Sequence, residues 1–462
     1  MKLFHVLDVM RKGDRVISML HSENKQVRNL LLKGKFGLEK ESLRVCPDGF
    51  FSHTSHPFPN DHNIVRDFCE NQTEINTPVL SSAKEAIDYF ELYNRKIQKK
   101  LSELPVREYL WPFSNPPYIR NEEDIPIARF YGSDSSKTRY REYLSDRYGR
   151  YKMTFSGIHV NYSFDEELLR QDFKLSGQKN FPEYKNKLYV ELAKKAAVYG
   201  WILVSITAAS PLMDSSFVEK KMYGMDTFNG MASTRCSELG YWNYFTPTFD
   251  YTNIHSYADS IRKYVEDGWI RYPSELYYPI RLKPAGENNI ENLREKGVSH
   301  IELRMFDLNP LVPEGLEIKD VIFAQLFLVW LASNELPEVS TKDQIHAVQN
   351  FKNAAHYDLK TVKIVLPNGN VNSAADTALG ILSQMKKFYH GYPEEIKEVL
   401  QFEEDKFVNH ENRYAWKVKQ QYSNGFVKKG MQLAKERQNQ ALGKIKETRA
   451  IAHDAAAQQI IA

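Results

Sequence analysis

Cysteine is scarce. The 462-residue chain holds three, Cys46, Cys69 and Cys236. An odd count at scattered positions argues against a disulfide framework or a cysteine-ligated zinc, and it fits a reducing cytoplasm. Charge of one sign is also missing. A net charge of +3 across 62 basic and 59 acidic residues provides no global basic surface for nucleic acid. Long hydrophobic runs are absent too. The most apolar stretches, residues 200–208 and 321–332, fall well short of the roughly 20 residues that span a bilayer and read as buried helices. The opening MKLFHVLDVMRKGDR lacks the apolar core of a signal peptide. Together these absences imply a cytoplasmic protein with neither a membrane nor a nucleic-acid partner. Four sequence signatures are missing as well: the GxxxxGK[ST] phosphate loop, the GxGxxG dinucleotide fingerprint, the GxSxG elbow and the HExxH zinc helix.

What is present is an ordinary globular composition, 42% hydrophobic and 26% charged, with an unusual 13% of aromatics, including 27 Tyr and 25 Phe. The periodicity predicts helix through residues 1–34, clearest over 15–32, and then a strand at 36–45. Cys46-Pro47-Asp48-Gly49 carries the Asp-Gly signal of a hairpin turn. His53, His56 and His62 fall irregularly around Pro57 and Pro59, which reads as a loop and not as a metal cluster. A short strand at 73–77 stops at Pro78. An amphipathic helix over 82–104 has a basic end suited to the negative helix C-terminus. Residues 105–135 are proline-rich and weakly patterned. Residues 137–150 are helical, with Tyr140, Leu144 and Arg147 on one face. A long apolar helix over 184–210 ends at Pro211, and from residue 316 the chain is mostly helical. No repeat or linker divides it. One domain over 1–462 is expected, with a sheet core over 36–310 and a helical part over 316–462.

Three strands place polar groups on one side. In FGLEKESLRV (36–45), alternation puts Glu39 and Glu41 on one face, roughly 7 Å apart. Like charges that close, if half-buried, call for a cation between them, and Mg²⁺ is the simplest. A solvated strand edge with protective charges would give the same pattern. In TFSGIHVNYSF (154–164), His159 and Asn161 share a face opposite Ile158, Val160 and Tyr162. In VSHIELRMFDLNP (298–310), His300, Glu302 and Arg304 share a face opposite Ile301, Leu303 and Met305. With Asp67, Glu74, Arg141, Arg235 and Arg281 these supply five acids and four arginines, beside His159. The set suits metal-dependent phosphoryl chemistry, in which metals neutralise phosphate charge and arginines stabilise the transferring group.

Six motifs, GLEKESLRV, DFCENQTEINTP, SGIHVNYSF, TRCSELGY, YYPIR and HIELRMFDLNP, occur in order over residues 37–310. Together they resemble bacterial glutamate–cysteine ligases. The resemblance implies an α+β fold: a curved, mostly antiparallel sheet forming a funnel flanked by helices, related to the catalytic core of glutamine synthetase. It implies that ATP phosphorylates the γ-carboxylate of L-glutamate, and that the amine of L-cysteine displaces the phosphate to give γ-glutamylcysteine. It assigns Glu39, Glu41, Asp67, Glu74, Glu302 and His159 to the metal, which would be Mg²⁺ or Mn²⁺. It assigns catalytic roles to Arg304, Arg235 and His159. It gives Arg141, Arg235, Arg281 and Asn161 to substrate, and Tyr140, Leu144, Tyr241 and Tyr277 to the cysteine pocket. The substrates would be ATP, L-glutamate and L-cysteine, handled by a monomer or weak homo-oligomer. Some relatives add a glycine-ligating domain. A chain ending at Ala462 has no room for one, so dipeptide synthesis alone is expected. Two other readings stay open: a γ-glutamyl ligase for another amine, and a nucleotide-binding regulatory homologue. Residues 105–135 and 213–231 are the candidate closing loops.

Overall fold

The computed structural model describes residues 20–219 and 222–461, with side chains described through residue 445. A seven-stranded sheet organises them. Its strands are β1 (Gly34–Val45), β2 (Ile64–Arg66), β3 (Gln72–Asn76), β4 (Tyr109–Leu110), β5 (Gly157–Phe164), β8 (Ile280–Pro284) and β9 (Val298–Asp307). They run β2-β3-β1-β5-β9-β8, with β4 pairing the far end of β1, and every pairing in this sheet is antiparallel. Two small hairpins, β6 (Met213–Asp214) with β7 (Asp226–Thr227) and β10 (Lys363–Val365) with β11 (Val371–Ser373), stand apart. The second hairpin interrupts the helical region expected after residue 316. Its turn holds Asn368-Gly369, with Gly369 at φ 78°, the combination such a turn favours.

Fourteen helices occur among the described residues: α1 (Lys25–Arg28), α2 (Ala83–Ser102), α3 (Ser135–Tyr148), α4 (Glu166–Leu175), α5 (Phe181–Tyr199), α6 (Trp201–Thr207), α7 (Ile254–Glu266), α8 (Ile290–Lys296), α9 (Ile318–Ser333), α10 (Thr341–Ala354), α11 (Ala374–Phe388), α12 (Glu394–Val408), α13 (Tyr414–Tyr422) and α14 (Phe426–Ile461). The apolar face of the sheet, with Leu38, Ile158, Val160, Ile301 and Leu303, is buried in one core with residues of α2, α5 and α9. The starts of α2 and α5 follow side-chain capping: the Ser82 and Asn180 side chains accept from the backbone of Glu85 and Glu183.

Three expectations are corrected. The helix proposed for 15–32 is a single turn, α1, where described, because Asn24 starts a new cap by accepting from Gln26 and Val27 N–H; residues 1–19 lie outside the described residues. The helix over 184–210 divides at Gly200, where a Cβ would sit 2.4 Å from Ala196 O. It then stops at Thr207, because Ala209 N–H and the Ser210 hydroxyl donate instead to Asp307. The strand placed at 154–164 begins at Gly157, because residues 151–154 form a 3₁₀ turn and Ser156 N–H donates to Ser114 O. Residues 105–135 carry only β4 and two 3₁₀ turns, in line with their weak pattern.

Candidate active site

The face of the sheet away from the helical core gathers the polar groups, and strand register decides their partners. Glu41 sits opposite Glu74 across the β1–β3 pair. Glu39 sits opposite His159, and Asn161 opposite Glu302. Along β5 the step from Ile158 to Val160 matches Phe306 to Leu303 on β9, one residue more than regular pairing allows. Arg304 and Met305 therefore share one place opposite His159, a bulge of the kind that re-aims a side chain.

Two acid groups result. In the first, ligand atoms of Glu39, His159 and Glu302 lie within 4.8 Å of one another. Glu39 accepts from Asn161 Nδ2 at 3.0 Å and lies 2.8 Å from His159 Nδ1. Glu302 is 1% exposed and faces Arg304 at 3.0 Å, Lys283 at 3.3 Å and His159 at 3.7 Å. Burial opposes its charge, but Arg304 and Lys283 hold its carboxyl well below the usual range. Burial and Arg304 lower His159, which favours the neutral imidazole. In the second group, burial and the neighbouring Asp67 push Glu41 up to about 8 against the pull of Arg235. Burial, Asp67 and Glu39 likewise raise Glu74 well above its ordinary value. By themselves these acids resist full ionisation, and a divalent cation relieves that.

A cavity of about 100 Å³ opens on this face. Glu41, Asp67, His159, Arg235, Arg304, Tyr241 and Tyr277 all line it. Arg235 reaches it over Gly157, where a Cβ would sit 2.3 Å from the guanidinium. Its guanidinium donates to Arg304 O and Phe306 O, with Asp307 3.7 Å from Nε. The Tyr241 and Tyr277 rings pack at 4.0 Å between centroids, tilted by 39°, and Tyr277 Oη is buried without a hydrogen-bond partner.

Other expected residues do not line the cavity. Leu144 is buried in the same cluster as Tyr277, and Tyr140 packs against that cluster. Arg141 Nε donates to Asp67 O at 2.6 Å, and its guanidinium lies 4.7 Å from the Phe130 ring centre. Arg281 donates to Ser274 O and Leu276 O. Asn161 fixes Glu39, as described. Sequence reasoning missed Lys283, Lys152, Phe68 and Trp242. Lys283 was within reach, since it follows Arg281 by two residues on one strand face. Lys152 sits in a 3₁₀ turn that carries no periodic signal.

A family model described as glutamate–cysteine ligase matches residues 18–354. The chain belongs to the glutamate–cysteine ligase family. The bifunctional glutathione biosynthesis protein of Listeria welshimeri is 35% identical over 96% of the chain and 58% of its own length. A glutamate–cysteine ligase of Pseudomonas entomophila is 31% identical over 70% of the chain and 68% of its own length. The crystal structure of a bifunctional glutathione synthetase from Pasteurella multocida superposes with a TM-score of 0.79 at 25% identity, over 92% of this chain and 55% of that one. A Francisella tularensis glutamate–cysteine ligase, solved with AMP, superposes with a TM-score of 0.78 at 21% identity, over 92% and 94% of the two chains. The chain thus spans a little over half the length of the bifunctional relatives. The mostly antiparallel sheet flanked by helices is the fold shared with both solved structures. Among the described residues, no helix is long and apolar enough to cross a membrane.

Proposed function

We propose that this chain joins the γ-carboxylate of L-glutamate to the amine of L-cysteine at the expense of ATP, as the first step of glutathione biosynthesis. The observation that carries the reading is the meeting, on one sheet face, of two acid groups, Arg304 and a cavity walled by Tyr241 and Tyr277. The donor set fits a hard divalent cation: Glu302 Oε2 is buried without a hydrogen-bond donor, and the oxygen-rich ligands match Mg²⁺ or Mn²⁺. Glu39, Glu302 and His159 would hold one ion, and Glu41, Asp67 and Glu74 another. Bound metal would neutralise phosphate charge.

The remaining chemistry falls to side chains. Arg304, raised above its ordinary value by Glu302 and Glu39 against the effect of burial, stays cationic beside the transferring phosphoryl group. Lys283 adds a second positive charge next to Glu302. Arg235, pinned by backbone carbonyls, presents donors to the carboxylates of glutamate, and Arg141 backs Asp67. The γ-glutamyl phosphate so formed must be kept from water until the amine attacks, and an enclosed aromatic pocket serves that end. Tyr241 and Tyr277 receive the acceptor side chain, supported from behind by Tyr140 and Leu144. Because the site draws on residues from 39 to 304, we treat the chain as one domain, acting in the cytoplasm as a monomer or weak homo-oligomer.

The test is ADP release from the purified chain with ATP, Mg²⁺ and L-glutamate, adding one amine at a time. Strong stimulation by L-cysteine, weaker stimulation by L-2-aminobutyrate, and abolition by EDTA are the expected results. Stimulation only by another amine would overturn the acceptor assignment, and turnover that survives EDTA would overturn the metal sites.

A further inference from the structure

Directly behind the tyrosine wall lies one fully buried carboxylate, Glu275, at 0% exposure. It does not line the cavity. Three donors and one ion-pair partner converge on it. Tyr148 OH donates at 2.7 Å, Tyr143 OH at 3.0 Å and Arg271 N–H at 2.8 Å; Arg147 Nε lies at 2.8 Å as its ion-pair partner. Tyr143, Arg147 and Tyr148 all belong to α3, the helix that also carries Tyr140 and Leu144.

The backbone of the same residue grips the other side of the wall. Asn243 Nδ2 donates to Glu275 O at 2.9 Å, and Asn243 Oδ1 accepts from Tyr277 N–H at 2.8 Å. Asn243 follows Tyr241 by two residues, and Glu275 precedes Tyr277 by two. The Tyr148 ring packs edge-on to Tyr277 at 5.5 Å. One residue therefore ties together α3, the segment bearing Tyr241 and the segment bearing Tyr277. Burial and the hydrogen bond to Glu275 push Tyr148 up to about 12, so this donor keeps its proton at physiological pH. A charge this deep is costly unless saturated with donors, and saturation fixes geometry more tightly than apolar packing, which tolerates sliding.

We propose that Glu275 is a positioning residue for the acceptor amine: its clamp of three hydrogen bonds and one ion pair sets the spacing between α3 and the Tyr241–Tyr277 wall, and with it the selectivity for the acceptor side chain. The inference rests on the ligase reading above. Small differences in acceptor bulk are resolved only by a wall held in place, because one methylene or its isostere changes binding by little.

The test is Glu275→Gln, which keeps the shape and removes the charge. The expected result is a rise of roughly tenfold in KM for L-cysteine and a smaller preference for L-cysteine over L-2-aminobutyrate. KM for ATP and for L-glutamate should stay within about twofold of wild type. Equal changes in all three KM values would mark a merely structural residue and overturn the proposal, as would an unchanged KM for L-cysteine. Should Glu275→Gln fail to fold, Tyr148→Phe removes one donor and leaves the Glu275–Arg147 ion pair in place. A rise of about threefold in KM for L-cysteine alone supports the clamp, and no rise overturns it. Wild-type protein with no cysteine-stimulated ADP release would overturn the ligase reading and this inference with it.

Discussion

The two ends of β1 put similar chemistry to opposite uses. Toward its middle, Glu39 and Glu41 face the cavity side, and Glu41 sits across from another carboxylate, Glu74. Three residues further on, Arg44 is buried at 0% exposure, and its ion pair with Glu108 is sealed from water. Both Glu108 oxygens are satisfied: Oε2 by Arg44 Nη1 at 2.7 Å, Oε1 by Ser52 and Thr54 hydroxyls at 2.5 Å each. Arg44 Nη2 also donates to Thr54 O and Glu70 O. One end is a closed ion pair that holds loops together. The other is an acid-rich face whose repulsions are left for a ligand to resolve. Burial alone does not mark a functional carboxylate; like charges across a strand pair, with too few donors, do.

The comparison is sharpened most by Glu41→Gln. Losing this acid should cut ADP release by at least about 10³-fold, or roughly 4 kcal/mol. The melting temperature of the metal-free protein should hold or rise, because the cost of burying this acid beside Asp67 is gone. Loss of stability with activity retained would place Glu41 on the structural side. Next is Arg44→Met, which strands Glu108 without a counter-charge. It should cost about 3–5 kcal/mol in urea unfolding while activity per folded molecule stays near wild type. A drop in turnover without destabilisation would break the contrast.

Lys195 tests a buried cation that, among the described residues, hydrogen-bonds to no carboxylate, since its ammonium donates to Leu331 O and Asn334 O. Burial lowers its pKa from 10.5 to about 8. A depressed value means the folded state binds fewer protons between those limits. Stability is then fullest above 10.5 and declines as pH falls through about 8. Relative to Lys195→Met, wild-type unfolding free energy should climb with pH across that window, by at most about 1.4 kcal/mol per pH unit. Parallel curves would show that Lys195 does not titrate there. The smallest effect belongs to Cys46→Ser at the half-exposed end of the turn after β1. Activity should be unchanged in the ADP assay, since the chemistry uses no protein thiol; a folded, inactive variant would contradict that.

Much of the site was legible because alternation is local. The pattern in GLEKESLRV, GIHVNYSF and HIELRMF put Glu39 with Glu41, His159 with Asn161, and Glu302 with Arg304 on their correct faces, and the resemblance gathered them into one site. The long helix over 184–210 was misread because its apolar pattern runs through Gly200 unbroken. The break depends on the close approach of the Ala196 carbonyl, and the stop on Asp307, about a hundred residues away. Tyr140, Leu144 and Arg281 are expected at the substrate but do not line the cavity, because the pattern along a helix or strand tells which residues share a face and not how far they are from a cavity.

By itself, the sequence determined which side chains share a strand face and which segments lack regular structure, since these follow from backbone geometry over a few residues. Only the tertiary structure decided that Glu41 meets Glu74, that Glu39 meets His159, that a bulge sets Arg304 and Met305 together opposite His159, and that Glu275 joins α3 to the tyrosine wall. Those pairings depend on the register between strands and loops far apart in the chain. Burial of one sheet face fixes that register, and no local pattern encodes it.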